Sequence, residues 1–578
     1  GGKICMQILH AGRYAYNPAL VAPSAAQAPI NPFMPKELTS DEVEQQINDF
    51  VRCATLAQQA AYDGVEFMGS VGYLSNQCGA VRSNHLNDKW GGSFENRIRF
   101  PLEIIKRIRA AVGEKFILIY RLSMLDLVDG GSSQEEVIAL AKLVEQAGTT
   151  IINSGIGWHE ARVPTIATSV PRALFSQVSK HVKEHVNIPV ITSNRINTPE
   201  VAEQVLSSGC ADMVSMARPF LADADFVNKA AQNQSEDINT CIGCNQACLD
   251  HTFDNKISSC LVNPRAANET LLNFLPVTTP KKIAVVGAGP AGMAFATYSA
   301  NRGHSITLFD KSSSLGGQFN LAKQIPGKEE FNETLRYFEK QLAKASVELK
   351  LNCEATPAIL QEFDEVVIAT GIVPRTPEID GITHEKVVSY VDVLNKNVTV
   401  GKRVALIGAG GIGFDVAEYL CHQGESPTLN KDLFTKEWGI DLTNSNSGGV
   451  VTAQPSASPR EIFLLQRKAS KVGKNLGKTT GWIHRASLKH KGVNTFANVE
   501  YQKISDLGLH ISIDGAQQTL DVDHVVLCAG QTPNKKLLND LTKAGYTKPM
   551  HVIGGADVAA ELDAKRAINQ AAWLAARV

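Results

Sequence analysis

Short runs of β-branched and apolar residues recur along the first half of the chain, each followed by a longer segment whose apolar positions repeat at helical spacing. Six runs read as strands, at 3–9, 64–68, 116–122, 150–153, 189–193 and 212–216. Amphipathic stretches such as 40–61 and 133–147 lie between them, each ending near a glycine. Strand and helix in alternation build a parallel sheet. Polar, glycine-rich residues after the strands mark the end where chemistry sits in a (β/α)8-type barrel. A closed barrel of that kind needs eight strands in about 250 residues. The pattern supplies about six, the third residue already belongs to a strand, and there is no initiator methionine. The expectation is a barrel truncated at its N-terminus by two βα units.

A Thr-Thr-Pro-Lys-Lys stretch at 278–282 separates this half from one with a different rhythm. Two strand–glycine–helix units open there, at 283–300 and 403–421, the pattern that begins a Rossmann-like FAD- or NAD(P)-binding domain. A strand-like run at 365–369 precedes a proline-rich connection at 374–377, and 551–553 reads as a late strand before a helix. The segment 422–459 is polar, rich in Ser, Asn and Gly, and nearly without periodicity, as a long surface insertion would be. The expected order is a barrel over 1–235 and a cysteine-bearing segment and linker over 236–278. One Rossmann-like domain then spans 279–395 and 525–578, with a second inserted in it at 396–524.

Composition narrows the function. The 578 residues are 44% hydrophobic and 20% charged, which is globular and excludes wholesale disorder. Lys+Arg (57) nearly cancels Asp+Glu (58), so no basic field exists to attract nucleic acid. Strictly apolar runs, such as 525–529 and 571–576, are far shorter than the roughly 20 residues of a membrane span. Eleven cysteines are too few for a disulfide scaffold.

Four of those cysteines cluster. Cys241, Cys244, Cys248 and Cys260 form C-x2-C-x3-C-x11-C. Close spacing lets three thiolates converge from one loop on an inorganic centre, with the fourth closing the site. A [4Fe–4S] cluster needs four such soft ligands. Tetrahedral zinc is the alternative, although its four-thiolate sites usually carry two C-x-x-C pairs and only one is present here. Cys5, Cys53, Cys78, Cys210, Cys353, Cys421 and Cys528 lie in apolar or unpatterned surroundings and are expected to be buried thiols.

The two glycine loops end differently. The first, with Gly287, Gly289 and Gly292, is G-x-G-x-x-G directly after a strand, and the next strand at 305–309 ends in Asp310, placed for ribose hydroxyls. The second, with Gly408, Gly410 and Gly413, repeats the motif, but its following strand at 461–465 ends in Gln466-Arg467-Lys468. No carboxylate is offered to a 2′-hydroxyl there, and two cations are offered to a 2′-phosphate, which predicts NADPH over NADH. Ordinary exposed basic residues are the alternative. Asp557, after Gly554-Gly555-Ala556, is placed to grip a flavin ribityl chain, which assigns the C-terminal segment to the FAD domain.

A barrel, this cysteine spacing and a tandem FAD/NADPH pair resemble the iron–sulfur flavoenzyme branch of the old yellow enzyme family. The likeness covers essentially the whole chain, including Gln7-Ile-Leu-His10-Ala-Gly-Arg13, Gly155-Ile-Gly-Trp-His159-Glu-Ala-Arg162, Thr240-Cys-Ile-Gly-Cys-Asn-Gln-Ala-Cys248 and Gly477-Lys-Thr-Thr-Gly-Trp-Ile-His484. It implies FMN in the barrel, FAD and NADPH in the second half, and a [4Fe–4S] cluster between them. By the same resemblance Gln7 and Arg121 are flavin-ring contacts, and Arg195, Ala217 and Arg218 are FMN phosphate ligands. Gln318 and Lys328 are FAD contacts, Tyr73 a proton donor and His159 the residue that polarises the substrate. Two positions depart from the family pattern: Cys78 replaces an aromatic and Leu86 an arginine, which bears on the packing of the loop beside Tyr73.

The implied activity is NADPH-dependent reduction of 2,4-dienoyl-CoA thioesters to enoyl-CoA in unsaturated fatty-acid β-oxidation. Electrons are expected to pass from NADPH to FAD, singly through the cluster, and then to FMN and substrate. The alternatives are another enoate reductase or an amine dehydrogenase of the same branch, or a non-catalytic remnant with diaphorase activity only, and weak FMN retention is expected of a truncated barrel. Reduced cysteines and such a cluster imply the cytoplasm. A small-molecule substrate is expected, with no nucleic acid or membrane partner, and a monomer rather than an oligomer.

Overall fold

The computed structural model describes residues 2–559 and 564–578. They divide into two compact units, one of residues 1–166, 170–216 and 429–455, the other of 167–169, 217–428 and 456–578.

The first unit is built on a six-stranded parallel sheet of Cys5–Ile8, Gly64–Gly69, Ile117–Leu125, Ile151–Ile156, Val190–Thr192 and Met213–Val214, in chain order. All six expected strands are present. The third runs three residues beyond its expected end, carried by Met124 and Leu125, and slips register between Ser123 and Leu125. Pairing of each strand with its sequence neighbour requires a crossover helix each time, and local signals start those helices. Thr39 caps Ser40–Gln59 and Ser133 caps Gln134–Gln146, each with a glutamate three residues on (Glu42, Glu136) completing a capping box. Thr198 caps Pro199–Ser207, where proline takes the start of the first turn. Val43, Ile47, Phe50 and Ala54 form the buried stripe of the first helix, and Phe50 meets Phe67 of the second strand with ring centroids 5.0 Å apart.

The second unit holds two parallel five-stranded sheets. In the first, Glu348–Lys350, Ser305–Phe309, Lys282–Val286, Glu365–Ile368 and Met550–Val552 lie side by side, so a strand from the end of the chain completes the sheet. In the other the order is Val387–Ser389, His524–Leu527, Arg403–Ile407, Glu461–Leu465 and Asn494–Phe496. The chain passes between them twice, through Ile372–Pro374 and Gln531–Pro533, which pair antiparallel. Ile283, Val285, Phe295 and Ile568 are wholly buried in the core of the first sheet, and Ile242, Leu261 and Val262 of the cysteine segment share that core.

Three features differ from expectation. An antiparallel meander of Val499–Ser505, Gly508–Ile513 and Ala516–Leu520 follows the second sheet. The polar segment 422–459 is ordered: it contains the helix Lys431–Trp438, capped by Asn430, and its residues 429–455 group with the barrel strands rather than with their chain neighbours. Of the seven other cysteines, Cys78, Cys210, Cys421 and Cys528 are buried, Cys5 and Cys353 are half-buried, and Cys53 is exposed on the outer face of the first helix. The expectation of a buried thiol fails at Cys53 because its amphipathic helix shows solvent one face as well as the core the other.

Candidate functional site

The loops after the barrel strands bring Tyr73 and His159 together. Tyr73 is the N-cap residue of the short helix Leu74–Gly79, which follows the second strand, and His159 follows the fourth. His159 Nε2 lies 2.8 Å from the Tyr73 hydroxyl, with the rings edge-to-face at 5.0 Å. Tyr14 stands edge-on to both. Burial pushes the Tyr73 phenol above its ordinary value, with the Arg121 charge opposing, so it keeps its proton at neutral pH. Solvent reaches the His159 ring, but the protein mass around it disfavours the imidazolium and lowers its pKa, so the ring is neutral there.

Polar residues that the sequence did not single out hold this pair. Glu160 is buried and takes Arg13 Nη2 at 2.7 Å, Arg82 Nε at 2.7 Å and the Tyr14 hydroxyl at 2.9 Å. Asp126, 1% exposed, accepts from Trp158 Nε1 at 2.8 Å and Ser123 Oγ at 2.6 Å. Asn76 accepts the Gly72 N–H at 2.9 Å, fixing the turn into Tyr73. The loop carrying the two departures is firmly built: Asn84 Nδ2 donates to the carbonyls of Cys78 and Trp90 at 2.7 and 2.8 Å, and Arg97 donates to those of Gly79 and Gly92. Cys78 is buried within it.

Gln7 and Arg121 converge on Glu66, a residue that strand alternation alone did not mark. Gln7 Nε2 donates to Glu66 Oε1 at 2.5 Å, Asn153 Nδ2 donates to Glu66 Oε2 at 2.7 Å, and Arg121 Nη1 lies 4.0 Å from Glu66 while its Nε donates to the Ser154 carbonyl. These donors come from neighbouring strands of the sheet and gather on one carboxylate. Arg195 is buried with φ near +59°, next to Asn194, also left-handed, and donates to the Val170 carbonyl. Ala217 and Arg218, expected with it as phosphate ligands, lie in the second unit: Ala217 precedes the helix Arg218–Ala222, and Arg218 donates to Asn245 Oδ1.

Cys241, Cys244, Cys248 and Cys260 line one cavity together with Arg218, Asn245 and Leu261. Burial pushes the Cys244 thiol well up, and Cys260, Cys248 and Cys241 add to it. The Cys260 thiol is pushed up to about 12 by burial and by Cys241, and burial raises Cys248 against the pull of Arg218. Four thiols lining one cavity, Cys241 buried and the other three half-buried, are suited to a soft cationic centre, which would offset the mutual repulsion of their thiolates. Among the described residues no group of three or more His, Cys, Asp or Glu side chains is placed to hold a metal ion, and no cysteine is in a disulfide.

Both dinucleotide loops have the required close approach. A Cβ on Gly292 would run into the Gly287 carbonyl oxygen, and one on Gly413 into that of Gly408, so each helix starts against its own loop. Asp310 caps the first loop, accepting the Ala288 N–H at 2.7 Å. Gln318 accepts from the Tyr390 hydroxyl at 3.1 Å, and Lys328 Nζ lies 2.6 Å from Asp415 Oδ1, on the helix of the second loop. Beside it His484 Nδ1 lies 2.9 Å from Glu418. Asp557 accepts from Gln570 Nε2 at 2.8 Å. Arg467 and Lys468 are exposed at the end of Glu461–Leu465. Nothing occupies the space around Gly289 and Gly410 within 4 Å of a notional Cβ, leaving room for pyrophosphate.

A barrel-type parallel sheet followed by two dinucleotide folds defines the class of NAD(P)H-dependent flavin oxidoreductases. The chain belongs to the NADH:flavin oxidoreductase / NADH oxidase family, whose sequence pattern matches residues 1–237, and that of pyridine nucleotide-disulphide oxidoreductases matches 281–548. It is 35% identical to a metal reductase of Desulforamulus reducens over 96% of this chain and 83% of that protein. It is 32% identical to a cinnamate reductase of Clostridium sporogenes over 94% and 80% respectively. A 2-naphthoyl-CoA reductase in complex with 2-naphthoyl-CoA superposes with a TM-score of 0.89 at 31% identity, over 99% of this chain and 84% of that one. No helix among the described residues is long and apolar enough to cross a membrane.

Proposed function

We propose that the protein reduces a conjugated acyl-CoA thioester, with 2,4-dienoyl-CoA as the substrate and NADPH as the reductant. The observation that carries this reading is the 2.8 Å approach of Tyr73 and His159. A conjugated thioester needs an acid at carbon and a hydrogen-bond donor at its carbonyl oxygen, where negative charge gathers. The phenol, held protonated by burial, is the acid, and the neutral imidazole presents an N–H to the oxygen. In the free enzyme the two satisfy each other, and a substrate carbonyl takes the place of that contact.

When bound, FMN, FAD and a [4Fe–4S] cluster supply hydride and single-electron transfer. Gln7, Arg121 and Arg195 are assigned to FMN, together with Ala217 and Arg218. Gly287, Gly289, Gly292, Asp310, Gln318, Lys328 and Asp557 are assigned to FAD, and Gly408, Gly410, Gly413, Arg467 and Lys468 to NADPH. The four cysteines would hold the cluster. The C-x2-C-x3-C-x11-C spacing, with a single C-x-x-C pair, suits a [4Fe–4S] centre better than one tetrahedral zinc. The nucleotide fold at 396–524 is read as an insertion in the FAD-binding fold, and the reduced cysteines favour the cytoplasm.

Anaerobic mixing of flavin- and iron-loaded protein with NADPH and 2,4-decadienoyl-CoA tests the reading. Loss of the dienoyl absorbance supports it, and a persistent dienoyl band refutes it. A second arm with cinnamate addresses the rival, another enoate reductase, which the similarity to the cinnamate reductase favours. Turnover of cinnamate alone would transfer the assignment to that substrate class.

A further inference from the structure

Residues 441–449 come from the middle of the second nucleotide fold, yet they group with the barrel strands, and their hydrogen bonds run to the loop that follows the third of them. The segment is preformed. The Asp441 carboxylate accepts from the hydroxyls of Thr443 and Ser445 at 2.5 and 2.7 Å and from the Asn446 N–H at 3.0 Å. Ile440 and Val450 close its base as an antiparallel bridge.

Its tip grips the loop after the third barrel strand through backbone groups. The Leu127 N–H donates to the Gly448 carbonyl at 2.8 Å, the Gly448 N–H donates to the Ser132 carbonyl at 3.0 Å, and Asn444 Nδ2 donates to that same carbonyl at 3.2 Å. Ser447 Oγ donates to the Gly131 carbonyl. Gly448 has φ +79°, and a Cβ there would strike the Val128 carbonyl oxygen, so only glycine fits. Leu127 itself is left-handed at φ +56°, a conformation that persists only when its surroundings impose it.

The gripped loop contains Asp126. Its Oδ2 takes the Ser132 N–H at 2.8 Å, and its Oδ1 takes Trp158 Nε1 at 2.8 Å and faces Asn76 Nδ2 at 3.5 Å. Its carbonyl accepts the Trp158 N–H at 2.9 Å. Trp158 precedes His159, and Asn76 holds the Gly72 N–H just before Tyr73. One buried carboxylate therefore ties both active-site loops to a loop that the 441–449 segment fixes from outside the barrel sequence.

We infer that Gly448 and Asn444 are positioning residues for the reduction site, acting through Asp126 on the relative placement of Tyr73 and His159. This rests on the reading of that pair as the acid and the hydrogen-bond donor. Two changes test it in the full-length, cofactor-loaded protein: Gly448→Ala, which drives the tip off the loop, and the milder Asn444→Ala with Ser447→Ala, which removes only side-chain hydrogen bonds. For Gly448→Ala the expected result is a fall in kcat of about 10- to 100-fold, a shifted pH profile and unchanged NADPH-driven dye reduction. The double variant should fall less, in the same direction. Hydrogen–deuterium exchange should rise at 71–77 and 157–161 as well as at 125–132. An effect on exchange confined to 441–450, or a fall in dye reduction that parallels the fall in turnover, overturns the inference. If the unaltered enzyme turns over no thioester, the functional reading fails, and the exchange pattern alone decides the positioning.

Discussion

The carboxylate of Glu160 lies 2.7 Å from the Arg13 guanidinium, with side-chain exposures of 1% and 4%. A pair so fully removed from water contributes little as a pair, but removing one partner leaves a charge with no compensation. Glu160→Gln is expected to lose about 3–5 kcal/mol of stability, read as a lower denaturant midpoint for the barrel unit, while Arg13→Met combined with Glu160→Leu should recover part of it, because Arg82 and the Tyr14 hydroxyl still lose their acceptor. Equal losses in the single and paired variants would contradict this.

Tyr73→Phe removes the proposed acid and leaves the ring packed. Turnover of the thioester should drop by about 10²- to 10⁴-fold, with dye reduction by NADPH unaffected. Steady-state kinetics in both assays on one preparation separates the two.

The cysteine cavity should load with about four irons per chain when reconstituted. Cys244→Ala, at one of the four thiols lining the cavity, should abolish the iron's visible absorbance and stop electrons reaching the barrel substrate, while FAD is still bleached by NADPH. One tightly held zinc and no iron would point to the alternative centre.

Arg467 and Lys468 are exposed at the strand end where a 2′-phosphate is expected. Converting both to glutamate should raise the KM for NADPH by at least about tenfold, on the scale of lost charge-assisted hydrogen bonds, and move the KM for NADH little. Equal changes for both coenzymes would make these residues ordinary surface charges.

His484 supplies a pH dependence. Burial alone would lower its pKa, but the charge and hydrogen bond of Glu418 overcome that and hold it above the ordinary histidine value. A group raised in the folded state binds its proton more tightly there. Its stabilisation is complete below about pH 6.5 and is lost as pH rises through the folded pKa. The denaturant midpoint of the nucleotide-binding unit should therefore decline from pH 6 to pH 9, and Glu418→Gln should flatten the decline.

Most of the barrel was legible because its strands are apolar and its helices carry capping signals such as Thr39 with Glu42. The meander at 499–520 was not, since strands such as Ala516–Leu520 are largely exposed and lack an apolar run, although Asp514-Gly515 at its second turn is a hairpin signal. The 441–449 tip carries no hydrophobic trace in the sequence, because it docks through backbone carbonyls and amides. Tyr73 and His159 are marked by family resemblance, not by spacing. Asp126, Glu160 and Glu66 went unnoticed because a carboxylate that will be buried looks like any other until its arginine, indole or amide partners are placed around it.

The antiparallel contact of Ile372–Pro374 with Gln531–Pro533 is the double thread by which residues 387–527 hang from the first nucleotide sheet. Two hydrogen-bonded crossings side by side resist bending far more than a single thread, but they still permit torsion about their common axis. Any motion of the second five-stranded sheet against the first should therefore be a twist of a two-strand ribbon, with Pro374 and Pro533 at its ends limiting how far the ladder can lengthen.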